Sequence, residues 1–353
     1  MKKYAFLTFF CSFCFVSASY AENKEDYEKV YTIVQNEYVE DISLEKFVYA
    51  GVKALKSIDK KLTIDQGYDN FTIVFANGKT GVFRKPRDKK SPAGWAEAVD
   101  RMVQNATKIS PDLSLKDFEI FDIINKASFA TLDDFSRYFP SLEDEDENVK
   151  IKKYFGSRMI DDSLYMRVKT FNKLTFSKME KSLKENTAAK GLILDLRGNR
   201  GGMFSEALKA ADLFLEEGSL IVSTKGKNAD STQTYIAKSP DFFEDKPIII
   251  MVDGNTASSA EMLTAALKDQ SRAYVFGTKT FGKGSVQNLR LINEDKGFAL
   301  TNAYFYSPQE KQIHKQGIMP DFCVNQEEKC RPENREEIAE DIDQVFEIIQ
   351  QYF

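Results

Sequence analysis

The sequence predicts an α/β protein, with a core on a largely parallel sheet and a helical N-terminal region carrying an inserted β-hairpin. Three observations lead there. The apolar runs Gly191-Leu-Ile-Leu-Asp-Leu196, Ile248-Ile-Ile-Met-Val252 and Ala273-Tyr-Val-Phe276 alternate with segments of helical period, the pattern of a buried parallel sheet with covering helices. Tyr27, Val30, Tyr31, Val34 and Tyr38 recur at helical spacing, as do Phe47, Gly51, Ala54 and Leu55, which predicts two helices within 24–57. Asn77-Gly78 between Phe71-Thr-Ile-Val-Phe75 and Lys79-Thr-Gly-Val-Phe83 is a strong hairpin signal.

Taken in order, the chain opens on an export signal. Lys2 and Lys3 supply charge, Phe6 to Val16 an apolar core, and Ser19-Tyr20-Ala21 a small-x-small cleavage site. This reading gives 1–21 as signal peptide and an exported, periplasmic or secreted protein with no stable membrane span after cleavage; an uncleaved anchor is the alternative. Residues 22–140 form the helical region, with further helices near 93–106 and 114–127. The acidic run 143–147 marks a solvated connector, 141–163. The core follows over 164–325: a strand at Leu164–Lys169, a helix over 172–187, helical spacing over 203–215 and a helix over 258–269. The tail, 326–353, carries an amphipathic helix with Ile338, Ile342, Val345, Ile348 and Ile349 on one stripe. It packs on its own core or meets a dimer partner or an adaptor.

The formal net charge is −5, and more negative without Lys2 and Lys3; this disfavours nucleic acid as the main partner. Beyond the signal only Cys323 and Cys330 remain. In an oxidising compartment they are expected to close a small disulfide loop, with free thiols as the alternative. Two cysteines and one histidine leave little for a structural zinc site, and neither metal nor cofactor is expected.

That scarcity of histidine shapes the chemistry. Ser258 stands where the strand 248–252 gives way to a helix, a place where free amides and the helix dipole favour negative charge. With Glu261 it also fits a Ser-x-x-Glu capping box, so nucleophile and cap are both open. A hydroxyl nucleophile needs a base, and Lys283, in the Gly282-Lys-Gly284 loop, is the candidate. It must be neutral, so its pKa must fall by roughly three units, about 4 kcal/mol. Gln287, four residues on, is placed to orient the amine. Arg197-Gly-Asn-Arg-Gly-Gly202 closes a strand and can offer amides to an oxyanion. It lacks the Gly-Lys-Ser/Thr and Gly-x-Gly-x-x-Gly patterns of nucleotide sites. His314 completes a triad or sits in a structural turn. Asp195, at a strand end, is read as a cap or as an ion-pair partner of Arg197 or Arg200, with an acid/base group as the alternative.

Together these residues resemble the carboxy-terminal processing peptidases, or tail-specific proteases. The resemblance covers about 164–322, through Leu164-Tyr-Met-Arg-Val168, Gly191–Gly202, Ala210-Ala-Asp-Leu-Phe214, Ile221–Gly226, Thr256-Ala-Ser-Ser-Ala-Glu261, Gly277–Gln287, Tyr304-Phe-Tyr-Ser-Pro308 and Ile313–Asp321 in order. Tyr27–Val39 and Leu132–Tyr138 resemble the family's N-terminal helical region. The resemblance implies a ClpP/crotonase-like core, Ser258 as nucleophile, Lys283 as general base and Gln287 as the residue positioning it. It also implies backbone oxyanion donors at Gly201, Gly202 and Ser259, and a structural role for His314. The family usually carries a PDZ domain ahead of the strand at 164, but only 139–163 are available for one, too few for an independent domain. Residues 58–112 look like an addition.

The expected function is an exported serine endopeptidase acting on polypeptides, with an activating adaptor or homo-oligomer as further partners. A catalytically silent scaffold of the same fold is the alternative, and an acyl-hydrolase on small esters a third reading.

Overall fold

The structure is a computed structural model describing residues 24–141, 154–244 and 246–323. The expected signal, the acidic run, Cys330 and the tail helix lie outside the described residues. The described chain divides into two compact units, 24–33 with 43–132, and 34–42 with 133–323.

The first unit holds most of α1 (Lys24–Glu37), then α2 (Leu44–Lys53), β1 (Thr63–Gln66), β2 (Asn70–Val74), β3 (Thr80–Arg84), α3 (Pro92–Ile109), α4 (Pro111–Leu115) and α5 (Asp117–Phe129). Local chemistry sets the helix starts. The Ser43, Ser91 and Ser110 hydroxyls accept from Lys46, Gly94 and Leu113 N–H, and proline opens α3 and α4. Helical spacing brings Tyr27, Tyr31, Phe47, Phe121 and Phe129 into ring contact, while Trp95 on α3 is fully buried with its ring 6.0 Å from that of Phe71. The hairpin turns at Asn77-Gly78, where Gly78 takes φ +78°. Its strands join β1, a mostly polar strand without a clear sequence signal, in a three-stranded antiparallel sheet. A lysine side chain with no exposure, Lys85, closes this sheet. Its ammonium donates to Glu45 Oε1 and the Gly67 carbonyl, both at 2.5 Å, and lies over the Phe71 ring. Such burial is tolerated because the charge is paired and its donors are satisfied.

The second unit is the α/β core. Its elements are β4 (Arg137–Phe139), β5 (Phe155–Ile160), β6 (Ser163–Val168), α6 (Thr175–Glu185), β7 (Gly191–Asp195), α7 (Phe204–Asp212), β8 (Leu220–Gly226), β9 (Gln233–Ile236), β10 (Ile248–Val252), α8 (Ser259–Asp269), β11 (Tyr274–Gly277), β12 (Ser285–Leu291), β13 (Gly297–Tyr306) and β14 (Phe322–Cys323). A six-stranded sheet runs β14-β11-β10-β7-β6-β5, parallel except for the β5–β6 hairpin. Every residue of β7 and β10 is buried, which is why both read as unbroken apolar runs. Helix α8 is buried from Ser259 through Leu267. The other sheet is antiparallel, β12-β13-β8-β9, with β4 also on β13.

Register decides where the site falls. Ile250 lies opposite Leu194 and Val252 opposite Gly277, so β7, β10 and β11 end together at one edge of the sheet. The turns leaving those ends carry Arg197–Gly202, Ser258 and the Thr278–Gly284 loop. Ligands of open α/β sheets bind beyond the carboxyl ends of the strands. Residues 133–139, expected with the helical region, fall instead in the unit of the core, because β4 pairs antiparallel with β13.

Candidate active site

Ser258 caps α8 with φ +59° and ψ −126°. A serine rarely adopts positive φ, and holding one there costs about 1–3 kcal/mol that the surrounding structure must offset. The result is a sharp strand-to-helix turn of the kind that presents a nucleophilic hydroxyl. Two bonds tie the turn to the end of β7: Ala257 N–H donates to the Asn199 carbonyl at 2.9 Å, and the Thr256 hydroxyl to the Leu196 carbonyl at 3.0 Å.

Glu261 acts at longer range than a cap. Its fully buried carboxylate accepts from Ser258 N–H at 2.9 Å, Lys283 N–H at 2.8 Å, Gly282 N–H at 2.6 Å and the Thr280 hydroxyl at 2.5 Å. Ser258 and Lys283 N–H share one oxygen, Oε2. Burial pushes the Glu261 carboxyl above its ordinary value despite those four donors. The sequence signal of a capping box finds this residue, but not its hold on a loop twenty residues away.

Lys283 is half-buried, and its ammonium makes no hydrogen bond or ion pair among the described residues. Its Nζ lies 4.7 Å from the centre of the Phe135 ring. Burial, helped by the nearby Arg137 charge, lowers its pKa, while Asp133 opposes the shift. These are the conditions a lysine base requires. Phe135 escapes sequence reasoning because it lies far away in the chain, in a turn knit by the Asp133 carboxylate. Asp133 Oδ1 accepts from Phe135 and Ser136 N–H, and Oδ2 from the Ser136 hydroxyl, each at 2.7 Å.

Gln287 stands on β12 at a register shift after Val286, and such bulges re-aim side chains. Its amide donates to the Ser285 hydroxyl at 2.8 Å and the Thr301 hydroxyl at 3.2 Å, not to Lys283. Thr301 in turn donates to Asp133 Oδ1 at 3.2 Å. The glutamine is therefore linked to the turn bearing Phe135 rather than directly to the amine.

The Gly201-Gly202 turn comes against Ser258 because neither residue has a side chain. A Cβ on Gly201 would lie 2.8 Å from Ser258 Cβ, and one on Gly202 2.2 Å from the Phe171 carbonyl oxygen; φ is +98° and +136°. Gly201 N–H is already taken by Asn199 Oδ1 at 2.8 Å. That leaves Gly202 and Ser259, the latter in the first turn of α8 where amides lack helical acceptors. Gly202→Ala is expected to destabilise the unit by about 1–3 kcal/mol from backbone strain alone, read as a lowered midpoint in thermal unfolding.

Asp195 is a structural ion-pair centre. Burial alone would raise its pKa, but hydrogen bonds from Arg197 and Tyr165 prevail and hold it below the usual value. Its oxygens accept from Tyr165 and Arg167 at 2.6 Å and from the Arg197 side chain at 2.9 Å; Arg167, not Arg200, is the second cation. The lone histidine, His314, stacks on Tyr304 at 4.6 Å with its Nδ1 buried and unpartnered. Cys323 is disulfide-bonded, and its expected partner Cys330 lies outside the described residues. Among the described residues no His, Cys, Asp or Glu cluster is arranged for a metal, and no helix is long and apolar enough to cross a membrane.

The arrangement can support acyl transfer: a hydroxyl on a strained turn, an uncompensated amine and free amides gathered at one sheet edge. The chain is similar to known peptidases. Residues 162–324 match the model of peptidase family S41. The chain is 38% identical over 184 residues to a carboxy-terminal-processing protease of Bartonella bacilliformis, covering 50% of this chain and 42% of that one. It is 37% identical over 164 residues to a carboxyl-terminal-processing protease of Synechocystis, covering 46% and 38%. Among solved structures, a photosystem II D1 C-terminal processing protease shares 30% identity over 46% of this chain and 42% of that one, with a TM-score of 0.43. The chain thus spans less than half the length of these relatives.

Proposed function

From residues 162–324 being a peptidase family S41 domain, similar to carboxy-terminal processing proteases, we propose that this protein is a serine peptidase acting on polypeptides through Ser258 and Lys283. One observation carries the reading: a single carboxylate oxygen, Glu261 Oε2, holds the backbone N–H of both residues. The backbones of the two loops that carry the hydroxyl and the amine are thereby tied to each other.

On this reading Lys283 Nζ takes the proton from Ser258 Oγ as the hydroxyl attacks the peptide carbonyl. Gly202 and Ser259 N–H face the developing oxyanion. Lys283 Nζ then protonates the leaving amine; neutral again, it deprotonates the water that attacks the acyl group and returns that proton to Ser258 Oγ as the acyl group leaves. Gln287 acts through Thr301 and Asp133 on the lysine's surroundings. The resemblance to processing proteases favours cutting near C-termini, and the export signal expected over 1–21 favours exported substrates.

The test compares residues 22–353 and the Ser258→Ala variant on an unfolded protein, with fragments read by mass spectrometry. Cleavage by the wild type alone is expected, and the fragment ends report where cutting begins. Equal cleavage by both proteins would remove the assignment. Binding of the unfolded protein with no cleavage, and no labelling of Ser258 by a serine-reactive probe, would favour a silent scaffold.

A further inference from the structure

Lys283 rests on an aromatic ring where another amine would have a carboxylate. The Nζ–ring distance is 4.7 Å, and the amine has no hydrogen-bond acceptor among the described residues. The ring is held firmly. Asp133 closes the turn on both sides of Phe135, and Ser136 Oγ accepts from Thr301 N–H at 3.0 Å, which fixes the turn to β13. The Phe135 ring also meets His314 edge-on at 6.1 Å, and His314 is stacked on Tyr304. Phe135, His314 and Tyr304 thus form a chain of ring contacts that begins at the lysine.

We propose that Phe135 is the positioning residue of the lysine: its ring localises the amine and screens it from water without offering a lone pair or a countercharge to hold the proton. The inference rests on Lys283 being the general base. Two physical effects of the ring oppose one another. Its π-face attracts the ammonium, which favours the protonated form. Its bulk keeps water away, which favours the neutral form. A carboxylate here would trap the proton, whereas an open site would let the amine ionise as it does in water. The charged groups facing the amine are Arg137, which favours deprotonation, and Asp133, which opposes it. Asp133 is engaged by Phe135 and Ser136 N–H, the Ser136 hydroxyl and the Thr301 hydroxyl, so its charge is spread over four donors. Glu261 faces the lysine backbone and not its amine. His314 meets the ring edge-on, its own pKa lowered by burial and by Lys315.

Because the two effects differ in sign, two substitutions separate them. Phe135→Leu keeps the apolar bulk and removes the π-face; the Lys283 pKa is expected to fall by about half a unit. Phe135→Ala admits water; the pKa is expected to rise by about one unit. The measurement is a pH titration of Lys283 Nζ by NMR on lysine-labelled full chain, with Lys283→Arg assigning the signal and circular dichroism checking the fold. The acid limb of kcat/KM against pH should move in the same two directions. Titration of both variants at the wild-type value, or shifts of the same sign, would overturn the proposal. Opposite shifts in a protein that cleaves no polypeptide would uphold the tuning and remove the peptidase reading instead, so the two failures are distinguishable.

Discussion

Lys283→Ala is expected to lower kcat/KM for peptide hydrolysis by about 10²- to 10⁴-fold, the range associated with loss of a general base. Fold and thermal midpoint should survive, because the amine holds nothing in place: it makes no hydrogen bond or ion pair among the described residues. The Ser258→Ala/Lys283→Ala double variant should be no slower than the worse single one, since groups acting as a unit are not additive. Steady-state kinetics on a fluorogenic peptide provide the measurement, and wild-type turnover by Lys283→Ala would end the assignment. The pH dependence follows from the lowered pKa. Wild-type kcat/KM should rise with pH through an ionisation below the ordinary lysine value of 10.5. Stability has the same sign. Below 10.5 the unfolded chain binds this proton more tightly than the native state does, so stability rises with pH through the lowered native pKa and levels off near 10.5.

Glu261→Gln should damage both stability and activity. The native carboxylate accepts two N–H groups on Oε2, and one N–H and one hydroxyl on Oε1. A glutamine presents one oxygen and one NH2, so one pair of donors faces another donor in the interior. Each buried group left unsatisfied costs about 1–3 kcal/mol, which puts the loss at roughly 2–6 kcal/mol for two. Activity should fall at least as steeply as for a lost oxyanion donor, about 10²-fold, because the Ser258 turn and the Lys283 loop are no longer fixed to each other. Denaturant unfolding and peptide kinetics measure the two effects. A variant with native stability and turnover would show that the carboxylate is dispensable. Its raised pKa gives the wild type a further signature: the benefit of a native state that binds this proton more tightly is full below 4.5 and fades as pH rises through the native value.

The sequence yields those parts of the fold that depend on short-range patterns. Ile248–Val252 and Gly191–Asp195 read as buried strands because both faces of each are covered. Asn77-Gly78 reads as a turn because only a few residues accept its backbone angles. The candidate hydroxyl and amine are legible for a related reason: glycines and a strand-to-helix change mark their loops. What escapes reading depends on distant pairing. Thr63–Gln66 has one buried position in four, too weak a signal for a strand. Arg137–Phe139 is three residues long and becomes a strand only on β13. The face of Phe135 beneath Lys283 depends on that pairing, as does the placement of 133–139 with the core. Gln287 is readable as a position, but its bonding to Ser285 and Thr301 depends on a bulge that no local pattern announces.

The site is assembled from four stretches of chain, 133–136, 199–202, 258–261 and 280–287, none of which contains it alone. A chain still emerging from the ribosome presents a hydroxyl with no base and a lysine that is an ordinary solvated cation. On the proposed function, the hydroxyl therefore becomes reactive only once folding has brought these stretches together.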